Sequence, residues 1–310
     1  MVQKVVTLAF GSGVVAAGVK WHNKRAAVKF YSSLMCISKT TMSDSYPYVQ
    51  REISVSSYSN HAVIFQGPYR SGKTTFLAHS ILQWYPWYLR PLFPPCGVFL
   101  QGNQTKESTL EWLKTQLSST SAEDPVGSLV DLIGKRTEKQ RFRVFLHTKF
   151  GDKLPMFLKP QPSLVIIDQA EELIRCYRTD FLRQIEPLVK YTRDKPHSLQ
   201  LMFIVNSDTA VKSLESLNGG DLFINKQMPR PSLDAVRTAF QHSKECVDAF
   251  EKLDSCIGIT HAYLQTKNVN NELKPAEFLQ SYLSSYQETH GVLEVVSKSE
   301  LAAALHPEAK

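Results

Sequence analysis

Two stretches of the chain are apolar without interruption, Ala62-Val-Ile-Phe65 and Leu164-Val-Ile-Ile167. Strands buried on both faces of a parallel sheet read this way, whereas a strand with one wet face alternates. Gly97-Val-Phe-Leu-Gln101 reads as a further short strand. The segments between take a helical period. Thr75–Gln83 is helix-compatible directly after the first run. In Glu107–Leu117, Leu110, Leu113 and Leu117 fall on one face, and Val126–Phe150 reads as a longer helical stretch. Residues 119–127 are polar and read as a loop. So does Trp84–Pro95, where four prolines exclude a regular helix. Its aromatics either fill the edge of the core or form a wedge for a membrane or partner. Near the end, Phe278, Leu279, Tyr282, Leu283 and Tyr286 repeat at helical spacing after Pro275, a residue suited to a first helical turn. Strands alternating with helices predict an α/β fold.

Composition changes this picture little. The hydrophobic fraction of 43% and charged fraction of 21% are those of a globular chain. The net charge of +7 suits solubility, nucleic acid or an anionic surface. The best basic patch is Lys135, Arg136, Lys139, Arg141, Arg143 and Lys149. Glu138 interleaves it and no row of aromatics accompanies it, so a solvated helix face is preferred over a nucleic-acid or lipid contact. The five cysteines stand far apart, with no C-x-x-C and no zinc-like spacing. They read as reduced thiols, mostly packed in cores, in a reducing compartment.

The first 45 residues differ from the rest. Val5–Val19 is uncharged and bracketed by Lys4 and Lys20, and no acid precedes Asp44. Three readings compete: a membrane anchor, a mitochondrial targeting segment and a secretory signal. The last is a poor fit, because the downstream chain shows no disulfide logic. A buried or mobile helix is what remains if none holds. Fifteen residues span about 22 Å of helix against a hydrocarbon core of about 30 Å, short unless Trp21 and the lysines sit at the interfaces. The anchor is preferred. The following basic residues would then keep the body on the cytoplasmic or matrix side of a membrane.

The chemistry begins at Gly67-Pro68-Tyr69-Arg70-Ser71-Gly72-Lys73-Thr74, followed by Thr75. The form is G-x-x-x-x-G-K-[S/T], between an expected strand and an expected helix. That context is what a phosphate-binding loop requires. Its glycines allow backbone N–H groups to approach phosphate oxygens. Lys73 suits the β- and γ-phosphates of ATP, and the Thr74 hydroxyl suits Mg²⁺.

Asp168 ends the second apolar run, where ligands of open α/β sheets bind. It is read as a Mg²⁺ holder, with a helix N-cap as the alternative. Gln169 follows and cannot act as a base. Glu171 is the better candidate to activate a water, with Glu172 behind it, although acids at this place also suit a helix N-terminus.

The loop at 67–74 and Leu164-Val-Ile-Ile-Asp-Gln-Ala-Glu-Glu-Leu173 together resemble the STAND branch of AAA+-related, archaeal-type P-loop ATPases. The resemblance covers about residues 61–265. It implies a further strand between the two motif strands, carrying a polar sensor. Leu201–Val205 followed by Asn206 fits, with Asn206 resembling the sensor of the γ-phosphate. Many members of the branch carry Arg in that region, a departure here. Gln227–Val236 resembles the exit into a helical lid, with Ser232 as an N-cap and Arg230 or Arg237 as an arginine able to approach phosphate. Ile257–Leu264 is only weakly similar to a lid motif, and His261 takes no role. The expectation is a three-layer P-loop NTPase core at 46–228 with a parallel sheet, a membrane or targeting segment with a basic lead-in at 1–45, and a helical lid subdomain at 229–310. ATP, Mg²⁺ and an oligomer or protein partner are expected with it. Hydrolysis that drives a conformational change, a slowly turning nucleotide switch, and a DNA-directed ATPase are the competing functions.

Overall fold

The computed structural model describes residues 26–40, 48, 49, 51, 53, 60–68, 70–84, 95–102, 106–118, 123–134, 145, 149, 150, 153, 162–217, 221–241, 243–253 and 257–290. The apolar run 5–19, Tyr69, most of the proline loop and most of the basic stretch at 135–149 lie outside these residues. Among the described residues no helix is long and apolar enough to cross a membrane.

Five strands form one parallel sheet in the order β2-β3-β4-β1-β5: β1 (Ala62–Gln66), β2 (Gly97–Gln101), β3 (Ser163–Asp168), β4 (Leu199–Val205) and β5 (Phe223–Gln227). The three central strands are buried at every position, which explains the apolar runs at 62–65, 164–167 and 201–205. The edge strands β2 and β5 are partly exposed. β5 carries Asn225 and Lys226, polar chemistry that suits an edge. β4 lies between β1 and β3, as the resemblance implied.

Alternate side chains of each central strand enter two cores. Val63, Phe65, Ile166, Met202 and Ile204 face one side. There they meet Phe76, Leu77 and Ile81 of α2 (Lys73–Gln83) and Phe30 and Leu34 of α1 (Ala26–Thr40). Ile64, Val165, Ile167, Leu201 and Phe203 face the other side. They are covered by α3 (Lys106–Ser118), α4 (Pro125–Gly134), α5 (Ala170–Asp194) and α6 (Asp208–Glu215). The result is a three-layer α/β core, helices on both faces of a parallel sheet. The lead-in before residue 45 contributes to it through Phe30 and Leu34, which are 3% and 0% exposed.

Two local readings change. α4 begins at Pro125, inside the stretch read as loop: the Gly127 N–H donates to Asp124 Oδ1 at 2.8 Å, so Asp124 caps the helix and proline takes its first position. The four described cysteines are not core residues. Cys36 and Cys176 are exposed and Cys96 and Cys246 half-buried. In α5 the buried positions nearest Cys176 are Leu173 and Ile174, which leaves residue 176 on the outer face.

Beyond the sheet, α7 (Leu233–Ala239), α8 (Lys244–Lys252), α9 (Ile257–Val269) and α10 (Pro275–His290) form a helical subdomain. Its cores are small, one around Val236, Val247 and Phe250, the other around Leu253, Tyr263 and Phe278. Ser232 caps α7 by accepting from the Ala235 N–H, and α10 starts at Pro275, both as the sequence indicates.

Candidate functional site

The loop after β1 turns into α2 through Gly72, which has φ 86° and caps the helix without a side chain. Only glycine takes that conformation cheaply. Gly67 is equally constrained by space: a Cβ there would stand 2.9 Å from Met228 Cβ. Lys73, first in α2, is 5% exposed and turns back into the loop. Its Nζ donates to the carbonyls of Gly67 at 2.8 Å and Pro68 at 2.7 Å, and to Asn206 Oδ1 at 2.7 Å. The Ser71 N–H donates to the Pro68 carbonyl at 3.1 Å and tightens the turn.

β3 delivers Asp168 to the same point. The Thr74 hydroxyl donates to Asp168 Oδ2 at 2.9 Å, which joins the two motifs directly. Burial pushes the Asp168 carboxyl up, opposed by that hydrogen bond and by the Lys73 charge. Gln169 caps α5 in the left-handed region at φ 55°. Gly102 supports this corner. Its N–H donates to the Asp168 carbonyl at 2.8 Å, and a Cβ on it would meet the Gln169 carbonyl at 2.3 Å.

Glu171, in the first turn of α5, points into the site. Its Oε1 accepts from Asn206 Nδ2, while its Oε2 is buried without a hydrogen-bond partner. Burial raises its carboxyl to about 7, helped by the nearby Asp168 and Glu172 and opposed by Lys73. Glu172 is engaged elsewhere, in a 2.6 Å pair with Arg175. The structure therefore brings together Lys73, Thr74, Asp168, Glu171 and Asn206. It does not bring in Arg237, which is exposed and pairs with Asp234, nor Arg230, which is exposed outside the cavity.

A cavity of about 310 Å³ opens over Lys73, Thr74, Asp168 and Asn206, lined also by Arg70, Gly72 and Thr75 of the loop and α2, while Glu171 is outside its lining and meets it through Asn206. Part of its wall was not legible in the sequence. Tyr48, Val49 and Arg51 come from the lead-in, and Ile257, Gly258 and His261 from α9. Tyr48 stacks on the buried His79 of α2, ring centroids 4.0 Å apart. Arg51, 8% exposed, donates to the Ser71 carbonyl at 2.7 Å and the Pro229 carbonyl at 3.2 Å, bridging the loop and the exit from the sheet. Burial lowers His261 to about 4, so its imidazole is neutral at pH 7. No motif marks Tyr48 or Arg51; an arginine in a polar, irregular segment gives no periodic signal.

The oxygen set suits a small hard cation. Thr74 and Asp168 supply a hydroxyl and a carboxylate, leaving other positions to water and phosphate, which is how Mg²⁺ is commonly held. The cavity lining combines charged side chains, Lys73 and Asp168 among them, with the ring of Tyr48 and the apolar Val49 and Ile257, a mixture that suits a nucleotide.

No protein-family model matches the sequence, and a comparison with curated proteins finds no match. Solved structures do match. The Aeropyrum pernix ORC1 protein, solved in complex with DNA, is similar at 10% identity and TM-score 0.41, over 73% of this chain and 60% of that one. A Walker-type ATPase of Pyrococcus abyssi is similar at 13% identity and TM-score 0.37, over 74% and 68%. Drosophila ORC bound to GC-rich DNA and Cdc6 is similar at 12% identity and TM-score 0.25, over 96% and 85%.

Proposed function

We propose that this chain binds ATP with Mg²⁺ and hydrolyses it to ADP and phosphate, using the nucleotide state to drive a conformational change. One observation carries the reading: a phosphate-loop lysine and a hydroxyl–carboxylate pair line one cavity, and Asn206, which lines it too, ties that lysine to a glutamate with one buried, unpaired oxygen.

Lys73 now lies on loop carbonyls and Asn206. A bound β- or γ-phosphate offers it a charged acceptor in their place, which is the stronger partner. The N–H groups at the start of α2 face the same position. Thr74 and Asp168 would hold Mg²⁺, which when bound would neutralise charge on the phosphates. Glu171 takes the proton of the attacking water at Oε2. Its value near 7 places it close to operating pH, where a general base works best. Asn206 orients Glu171 and reads the γ-phosphate. Tyr48, Val49 and Ile257 receive the base.

A second reading, a nucleotide switch with little turnover, is favoured by the chain Lys73–Asn206–Glu171, which occupies all three polar groups in the present state. Phosphate release by the full chain, with Glu171→Gln as control, separates the two. Turnover that falls at least about 100-fold in the variant while ATP still binds supports hydrolysis. Binding without turnover selects the switch. No binding of ATP overturns both.

Finer features remain proposals with narrower support. STAND membership rests on the sequence at 67–74 and 164–173. A membrane setting rests on Val5–Val19 alone, and an oligomer on the resemblance alone. A DNA-directed role rests on the basic residues at 135–149; stimulation of turnover by DNA, lost at higher salt, would support it.

A further inference from the structure

Among the described residues of the phosphate loop, Arg70 is a non-glycine held in the left-handed region, at φ 56°. Glycine adopts that conformation freely, whereas an arginine needs its surroundings to hold it there. Contacts from the helical subdomain contribute to this. The Arg70 carbonyl accepts from the Gly258 N–H of α9 at 3.0 Å. The Arg70 guanidinium lies over the ring of Tyr282 of α10, 5.1 Å from its centroid. Gly258 has to be glycine for this approach, because a Cβ would stand 2.5 Å from the Arg70 carbonyl and 2.8 Å from its Cβ.

Tyr282 is itself anchored. It stacks on Phe278 at 5.6 Å and 27°, and Phe278 meets Tyr263 edge-on at 5.6 Å. Phe278 and Tyr263 belong to the core of α8–α10. A continuous line of packed rings thus runs from the phosphate loop into the subdomain. Arg70 also lines the cavity, beside Gly258 and His261, so the contact sits at the mouth of the site.

We propose that Tyr282 is a positioning residue for the nucleotide site. By holding Arg70 it keeps the phosphate loop in the conformation that accepts nucleotide. Docking of α10 and occupancy of the cavity are then a single coupled equilibrium, and the coupling is reciprocal. The proposal deepens the reading of this cavity as an ATP site and rests on it.

The test is titration of ATP with Mg²⁺ into the full chain and into Tyr282→Ala, Tyr282→Phe, Arg70→Gly and the double variant Arg70→Gly/Tyr282→Ala. Tyr282→Ala weakens binding about 5-fold, the factor that a cation–π contact of ordinary strength carries in an equilibrium. Tyr282→Phe restores it, since the ring face is kept. In the Arg70→Gly background Tyr282→Ala has no further effect, because glycine holds the loop conformation without an anchor. Amide exchange gives the reciprocal readout: ATP slows exchange in α10 of the unsubstituted chain and not of Arg70→Gly. An effect of Tyr282→Ala that is absent, or equal in both backgrounds, would overturn this proposal alone. No binding to the unsubstituted chain would overturn the ATP reading and this proposal with it.

Discussion

Lys73 and Asn206 are joined by a 2.7 Å hydrogen bond, and the same Asn206 amide turns its NH₂ to Glu171. One neutral side chain thus links the cation and the carboxyl of the site. Asn206→Ala strips a partner from both. Leaving buried polar groups unsatisfied costs about 1–3 kcal/mol, so the variant unfolds at lower temperature, as thermal denaturation will show. Its turnover falls as well, because Glu171 loses the group that orients it. Unchanged stability and unchanged turnover together would show that the linkage carries no energy.

The pH dependence follows from Glu171. Its carboxyl titrates near 7 in the folded chain and near 4.5 when unfolded. The folded state therefore holds the proton more tightly, and its stability falls as pH rises from about 4.5 to about 7. Ionising this buried group fully costs up to about 3 kcal/mol. Glu171→Gln keeps an oxygen for Asn206 and removes the charge. We expect it to raise Tm clearly at pH 8 and little at pH 4.5. A general base must be ionised, so turnover climbs as pH rises through about 7 and then levels. A flat pH–rate profile from 6 to 8 would argue against Glu171 as the base.

β1, β2, β3 and the phosphate loop were plain in the sequence because each has a local signature. β4 came through the resemblance, and β5 was missed because Phe223–Gln227 is short and polar. β1 and β3 carry unbroken apolar runs at 62–65 and 164–167, since both faces are covered, and 67–74 has glycines where the backbone must turn. The helical period also located α3 and α10. The remaining wall of the cavity was hidden because it depends on long-range docking. Arg51 reaches Ser71 and Pro229, and Gly258 reaches Arg70, across 20, 178 and 188 positions of chain. No periodicity encodes such meetings. The start of α4 was legible in principle, since Asp124-Pro125 is a cap followed by a first-turn proline, but the polar run around it obscured the signal.

Metal dependence should follow the Thr74–Asp168 pair, joined at 2.9 Å. In the unsubstituted chain, chelating Mg²⁺ weakens ATP binding and stops turnover. In Asp168→Ala the difference between Mg²⁺ and chelator shrinks at least about tenfold, because the carboxylate that holds the ion is gone. Titrations with and without chelator measure this. An undiminished Mg²⁺ effect in Asp168→Ala would place the ion elsewhere.

Arg51 should matter although it lies outside both motifs. Arg51→Ala removes hydrogen bonds to the Ser71 and Pro229 carbonyls and frees the lead-in from the loop. We expect a loss of roughly 1–3 kcal/mol in stability and a higher KM for ATP. Arg51→Lys recovers only part of it, since an ammonium lacks the planar fork that reaches two carbonyls at once. Chemical denaturation and initial rates against ATP concentration are the measurements.

The claim on which everything else depends is that the cavity over Lys73 is an ATP site. Calorimetric titration of ATP with Mg²⁺ into the full chain and into folded Lys73→Ala tests it directly. Saturable one-site binding to the unsubstituted chain, weakened beyond detection in Lys73→Ala, is the result expected. Equal affinity in the two proteins would contradict it.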